Sequence, residues 1–147
     1  MQMQDQARRL LWHGTFLFLL GLVTGLAIPI IRNHRMGLSA HLEGLLNGIF
    51  LVALGYLWPQ LRLSTGALSA AFWLVLYGTY ANWVFTLLGA ILGTSALTPQ
   101  AGAGFSAPRW AEVLVGFGLV SLSSAMLIVC VILLFGLSGK SVASSSA

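Results

Sequence analysis

The chain has 147 residues, of which 58% are hydrophobic and 7% are charged, and its formal net charge is +4. A soluble domain contains about 25% charged residues, so this composition excludes an ordinary soluble protein and indicates an integral membrane protein. The basic residues are scattered among predicted helix ends rather than clustered, which argues against nucleic-acid binding.

Four apolar stretches are each long enough to span a membrane, whose hydrocarbon core of about 30 Å takes roughly 20 helical residues to cross. They cover residues 10–31, 41–61, 67–93 and 110–137. Their continuous apolar runs do not fit the alternating pattern of a membrane β-barrel. We therefore predict an all-α integral membrane protein, a single four-transmembrane-helix bundle whose Ser/Ala-rich tail, residues 138–147, is disordered.

The distribution of basic residues bears on the membrane topology. With four spans, one side of the membrane holds Arg8, Arg9, Arg62 and Lys140, and the other holds Arg32, Arg35 and Arg109. The positive-inside bias then favours both termini on the cytoplasmic side of a bacterial-type inner membrane. The first apolar stretch is too long for the core of a signal peptide, so we expect it to remain in the mature protein.

Glycines spaced four residues apart predict where the helices approach each other closely. Gly21 and Gly25 form such a pair in the first predicted helix, and Gly44 and Gly48 form one in the second. In lipid, helices associate through small residues and interhelical hydrogen bonds. We therefore expect close helix contact at these glycines rather than ligand binding.

The second predicted helix carries His41, Glu43 and Asn47 in an apolar stretch, where such groups are expensive and tend to be functional. At about 100° per residue, His41 shares a stripe with Gly44 and Gly48, whereas Glu43 and Asn47 form another stripe. His41 and Asn47 are about 120° apart around the helix, which argues against both binding one small ion. The separation suits a large planar cofactor or two pockets at a subunit boundary, and it makes His41 a candidate metal or heme ligand.

The third predicted helix holds a second group of polar residues, and Thr79, Asn82 and Thr86 share one of its faces. Hydrogen bonding to neighbouring helices is the simpler explanation for Tyr77 and Thr79. Asn82, with two donors and an acceptor to satisfy, is evenly balanced between packing and function. The three serines near the middle of the fourth helix have no acid, histidine or lysine nearby in sequence, and we interpret them as packing residues that bond to their own helix.

The remaining ionisable residues exclude several reaction classes. The chain has three acids, Asp5, Glu43 and Glu112, and two of them lie near predicted helix ends, so a paired-carboxylate hydrolase is excluded. His13 is interpreted as an interfacial hydrogen-bonding residue and His34 as a solvated loop residue. There is no nucleotide-binding motif.

The residues alone leave two hypotheses. One is a membrane enzyme with a cofactor bound at His41. The other is a small transport or accessory protein with a proton path through His41 and Glu43. The second helix is apolar from Asn47 to Tyr56, and this gap interrupts such a path.

A motif in the second and third helices resembles a family of small four-helix membrane isomerases that includes styrene oxide isomerase and hydroxylaminobenzene mutase. The motif runs His41-Leu-Glu-Gly-Leu-Leu-Asn47-Gly, is followed by an apolar helix ending at Trp58-Pro, and continues as Tyr80-Ala-Asn82. The likeness covers the chain from about residue 12 to residue 135. Within the family, it is greatest to the hydroxylaminobenzene mutase branch.

The resemblance implies a homotrimer with heme b between subunits, in which His41 ligates the iron and Asn47 faces a small aromatic substrate. Asn47 and Asn82 are then the catalytic pair that holds the migrating oxygen by hydrogen bonds. Tyr80 helps to shape an aromatic slot, and Glu43 takes a supporting place.

The reaction implied is the rearrangement of an arylhydroxylamine, hydroxylaminobenzene, to 2-aminophenol by intramolecular hydroxyl transfer, with ferric heme b as a Lewis acid. The epoxide isomerases of the family carry a tyrosine four residues after the asparagine of the third helix, where this chain has Thr86. The missing phenol favours the mutase over the alternative, an aryl epoxide isomerase that converts styrene oxide to phenylacetaldehyde.

Overall fold

The computed structural model describes residues 3–138 and contains four long helices. They are α1 (Met3–Ala27), α2 (His34–Leu57), α3 (Thr65–Leu92) and α4 (Arg109–Leu137). No β-strand occurs in the described range. Each helix, taken with any adjoining 3-10 turn, is long and apolar enough to cross a membrane. The prediction of an all-α bundle with four transmembrane helices is confirmed, and all but the first residue of the predicted disordered tail lies outside the described residues.

Two helices begin earlier than predicted, α1 at Met3 instead of residue 10 and α2 at His34 instead of residue 41. The prediction followed the apolar runs, but a helix continues through polar turns beyond the hydrocarbon. Asn33 caps α2, because its side-chain oxygen accepts a hydrogen bond from the Met36 N–H at 3.1 Å. The interpretation of His34 as a loop residue is therefore wrong, and His41 lies two turns inside α2.

The same two helices end four residues before their predicted ends. A short 3-10 turn follows each of them, Ile28–Ile30 after α1 and Trp58–Gln60 after α2. Each turn contains a proline, which lacks the N–H that an α-helix would use. The ends of α3 and α4 agree with the prediction to within two residues.

Successive helices pack antiparallel, and α3 contacts each of the other three. Two buried apolar clusters lie at opposite ends of the bundle. The larger cluster is centred on Leu10, Leu17, Leu51, Trp58, Phe72 and Val129. The smaller cluster consists of Ile31, Met36 and Ala90. The polar residues of α2 and α3 lie between these two clusters along the helices.

The connection between α3 and α4 is irregular and is tied by hydrogen bonds to the start of α2 and to α4. The side-chain amide of Asn33 donates to the Ala101 carbonyl at 2.9 Å, and Arg32 donates to the Leu92 carbonyl at 2.8 Å. Glu112 of α4 accepts hydrogen bonds from the backbone N–H groups of residues 95 and 96. These bonds hold the loop at the end of the bundle nearer to His41.

Candidate functional site

The helices α1 and α2 meet along a line of glycines, which we call the α1–α2 seam. A Cβ added at Gly44 would lie 2.5 Å from Gly21 Cα, and one added at Gly48 would lie 2.7 Å from the Phe18 backbone nitrogen and 2.8 Å from the Gly14 carbonyl oxygen. Real Cβ atoms do not approach backbone so closely. The glycines therefore allow direct backbone contact, which confirms the prediction of close helix packing.

His41 lies at one end of this seam, against α1. Its Nδ1 is 2.8 Å from the Gly21 carbonyl oxygen. A Cβ on Gly25 would lie 2.7 Å from the same Nδ1, so the absence of a side chain at Gly25 makes room for the imidazole. Because a carbonyl only accepts, a neutral His41 carries its ring proton on Nδ1, and the lone pair of Nε2 is free.

Glu43 is the centre of a second group, on the face of α2 that meets α3. One carboxylate oxygen, Oε2, accepts from the side-chain amide of Asn47 at 3.1 Å and from that of Asn82 at 2.5 Å. We call these three residues the amide–carboxylate cluster. All three side chains are half-buried, and most of the residues around them on α2 and α3 are apolar. The cluster brings together the two asparagines singled out in the sequence, which lie on different helices.

Two hydrogen bonds link α1 to α3 beside these residues. The Tyr80 hydroxyl is 3.0 Å from His13 Nδ1, and the indole N–H of Trp83 donates to the Thr24 hydroxyl at 3.0 Å. The Trp83 ring also reaches the α1–α2 seam, because a Cβ on Gly44 would lie 3.1 Å from its Cδ1. Aromatic side chains of α3 therefore lie next to both the seam and the cluster.

The bonds of the other polar residues separate packing from function. Tyr77 bonds to Ser121 of α4 at 2.7 Å, as expected for a link between helices. Thr79 instead donates to the Val75 carbonyl of its own helix, so the predicted bond to a neighbouring helix is wrong. The three serines of α4 donate to carbonyls of their own helix, as predicted. Thr86 is buried.

The structure gives Glu43 a larger part than the sequence did. The family resemblance implied a supporting place for Glu43, yet its carboxylate is the common partner of both asparagines. The signal was partly present, since Glu43 and Asn47 are four residues apart and face the same way on a helix. The contact with Asn82 could not be predicted from the spacing along α2, because α3 reaches the cluster only through tertiary packing.

The donor set suits some cofactors and not others. Within residues 3–138, no three His, Cys, Asp or Glu side chains come together to hold a metal ion. A metal bound only by protein ligands, such as structural zinc, needs such a group. Heme supplies four nitrogen ligands itself and needs a single axial side chain. A histidine whose Nδ1–H is held by a backbone carbonyl, leaving Nε2 free, fits that requirement.

Comparison with known proteins identifies relatives of this chain. A sequence model of the styrene oxide isomerase family matches residues 6–138. Hydroxylaminobenzene mutase HabB of Ectopseudomonas oleovorans is 54% identical over 132 residues, which cover 89% of this chain and 80% of that protein. Hydroxylaminobenzene mutase HabA of the same organism is 46% identical over 125 residues, which cover 84% of this chain and 93% of that protein. No solved structure matches the chain significantly.

These similarities extend over nearly the whole described range and confirm the resemblance inferred from the motif of α2 and α3. They also confirm the prediction of an isomerase over that of a transport or accessory protein. The chain therefore belongs to the styrene oxide isomerase family of membrane isomerases.

Proposed function

We propose that this protein is a membrane mutase that rearranges hydroxylaminobenzene to 2-aminophenol by intramolecular hydroxyl transfer. The observation that carries the proposal is the amide–carboxylate cluster, two asparagine amides gathered in an apolar bundle on and beside the helix of His41. The proposal is supported by two relatives, 54% and 46% identical, that are named hydroxylaminobenzene mutases.

The proposed cofactor is heme b, held by Nε2 of His41. The hydrogen bond from Nδ1 to the Gly21 carbonyl fixes the ring orientation and leaves the lone pair of Nε2 free to bind iron. When bound, ferric heme supplies a Lewis acid that weakens the N–O bond of an arylhydroxylamine. In this proposal Gly25 is essential, since a side chain there would displace the imidazole.

Asn47 and Asn82 are the proposed catalytic residues. An amide nitrogen has two N–H groups, and Glu43 engages one from each asparagine, so each amide retains a second N–H. These donors hold the oxygen as its bond to nitrogen breaks and its bond to the ortho carbon of the ring forms. The ortho carbon then loses its proton and the nitrogen gains one, so the rearrangement consumes no oxidant or reductant. Because Glu43 fixes both amides in advance, little reorganisation is needed when charge develops on that oxygen. The apolar surroundings exclude water, which would otherwise compete for the ring.

The proposed assembly is a homotrimer in the bacterial inner membrane, with the heme between subunits and both termini in the cytoplasm. On the single chain, three apolar side chains of α2 near His41 and Asn47 are exposed, those of Leu42, Leu46 and Ile49. A neighbouring subunit that covers this face would complete a pocket beside His41.

The reaction is tested by supplying the purified protein with hydroxylaminobenzene and, separately, with styrene oxide, and identifying the products. We expect 2-aminophenol from the first and little phenylacetaldehyde from the second, because Thr86 provides no phenol. Repeating the first reaction in water enriched in 18O tests the intramolecular transfer, which leaves the product unlabelled. Rapid turnover of styrene oxide alone would identify an epoxide isomerase instead.

A further inference from the structure

The hydrogen-bond inventory of the amide–carboxylate cluster is unbalanced. Both bonds recorded for Glu43 end on Oε2, and among the described residues Oε1 has no hydrogen-bond partner. The side-chain carbonyl oxygens of Asn47 and Asn82 also have no partner there. The uncommitted groups are therefore three acceptor oxygens, with about two lone pairs each, and one N–H on each amide.

The carboxylate also decides which way both amides face. The nitrogen and oxygen of an asparagine side chain can exchange places at little steric cost, so the neighbours set the orientation. An Oε2 atom that accepts from both amides requires each Nδ2 to face Glu43. Each amide carbonyl oxygen is consequently turned away from Glu43.

Resting on the proposed function, we propose that Glu43 is a specificity-determining residue that makes the site select aryl compounds bearing N–H or O–H donors. A hydroxylamine group offers an N–H and an O–H to the surplus acceptors. An epoxide offers none, so an epoxide bound against these half-buried side chains covers their acceptor oxygens without pairing them, and that loss discriminates against it. Glu43 acts by positioning the asparagine amides and by adding its own Oε1.

The test is ligand binding, which does not depend on turnover. Phenol and anisole are similar in size, but only phenol has a donor. Calorimetric titration of the purified wild-type protein is expected to give phenol a Kd about 2- to 10-fold lower than that of anisole, the effect of one hydrogen bond. In Glu43→Gln, the added N–H donors and the loss of a fixed amide orientation bring the ratio of the two Kd values towards one.

Two further variants separate positioning from general structural damage. Glu43→Asp keeps a side chain that only accepts, and it is expected to retain the preference for phenol. Glu112→Gln removes the carboxylate that holds the α3–α4 loop, outside the cluster, and is expected to leave the ratio unchanged. A wild type that binds anisole as tightly as phenol overturns the inference, even if Glu43→Gln fails to fold. A Glu43→Gln variant whose ratio of Kd values for phenol and anisole equals that of the wild type also overturns the inference.

The failure of this inference and the failure of the proposed function give different results. If the protein prefers phenol but makes no 2-aminophenol, the selectivity of the cluster is supported and the proposed reaction is refuted. If the protein makes 2-aminophenol but shows no preference for phenol that depends on Glu43, the proposed reaction is supported and the role of Glu43 in specificity is refuted.

Discussion

Replacing Gly25 with alanine is expected to weaken heme binding by about 10- to 100-fold, the usual effect of disturbing a group that orients a metal ligand. The new Cβ would lie 2.7 Å from His41 Nδ1 and 2.9 Å from its Cε1, whereas ordinary contact begins at 3.4 Å. The imidazole must therefore move by about 0.7 Å. It then loses the position from which it donates to the Gly21 carbonyl at 2.8 Å.

The assay is titration of heme into the apoprotein, followed by the Soret absorbance. Gly66→Ala is the matched control, because a Cβ there meets nothing within 4 Å. Gly25 lies in the last turn of α1 and Gly66 in the first turn of α3, so both alanines enter an end turn of a helix, and the control differs in lacking the contact with His41. Heme affinity in Gly25→Ala equal to that in Gly66→Ala would refute the reasoning.

Three further changes test other parts of the structure. Gly44→Ala places a Cβ 2.5 Å from Gly21 Cα and should lower the free energy of unfolding by about 1–3 kcal/mol. Thermal unfolding in detergent measures this loss, and an unchanged unfolding midpoint would contradict the close packing of α1 and α2. Tyr80→Phe removes the bond to His13 and should cost only about 0.6 kcal/mol while heme content stays at the wild-type level; loss of heme would place Tyr80 in the cofactor site. Glu112→Gln weakens the anchor of the α3–α4 loop and should speed proteolysis within it, whereas an equal cleavage rate would show that the loop is held elsewhere.

Much of the fold could be predicted because each membrane-spanning helix corresponds to a long apolar run in the sequence. The helix count and the glycine contacts followed from composition and spacing. The first residues of α1 and α2 could not be predicted in this way, since polar turns such as the one at His34 continue a helix outside the hydrocarbon. The side chain of Asn33, which caps α2, was a local signal that the apolar pattern obscured.

The candidate site was predictable residue by residue but not as a set of contacts. Helical geometry correctly separated the face of His41 from that of Asn47 on α2. The partner of His41 is a backbone carbonyl at Gly21, and no residue type signals such a partner. Asn82 reaches Glu43 only because α3 packs against α2. The roles of these residues in catalysis and in heme binding remain predictions.

The central claim, a heme held by His41, is tested most directly by the absorption spectrum of the purified protein. We predict a Soret band in the wild type that is lost in His41→Ala, with the variant still folded by circular dichroism. An active wild-type protein without a Soret band, or a His41→Ala variant that keeps the full band, would contradict the account.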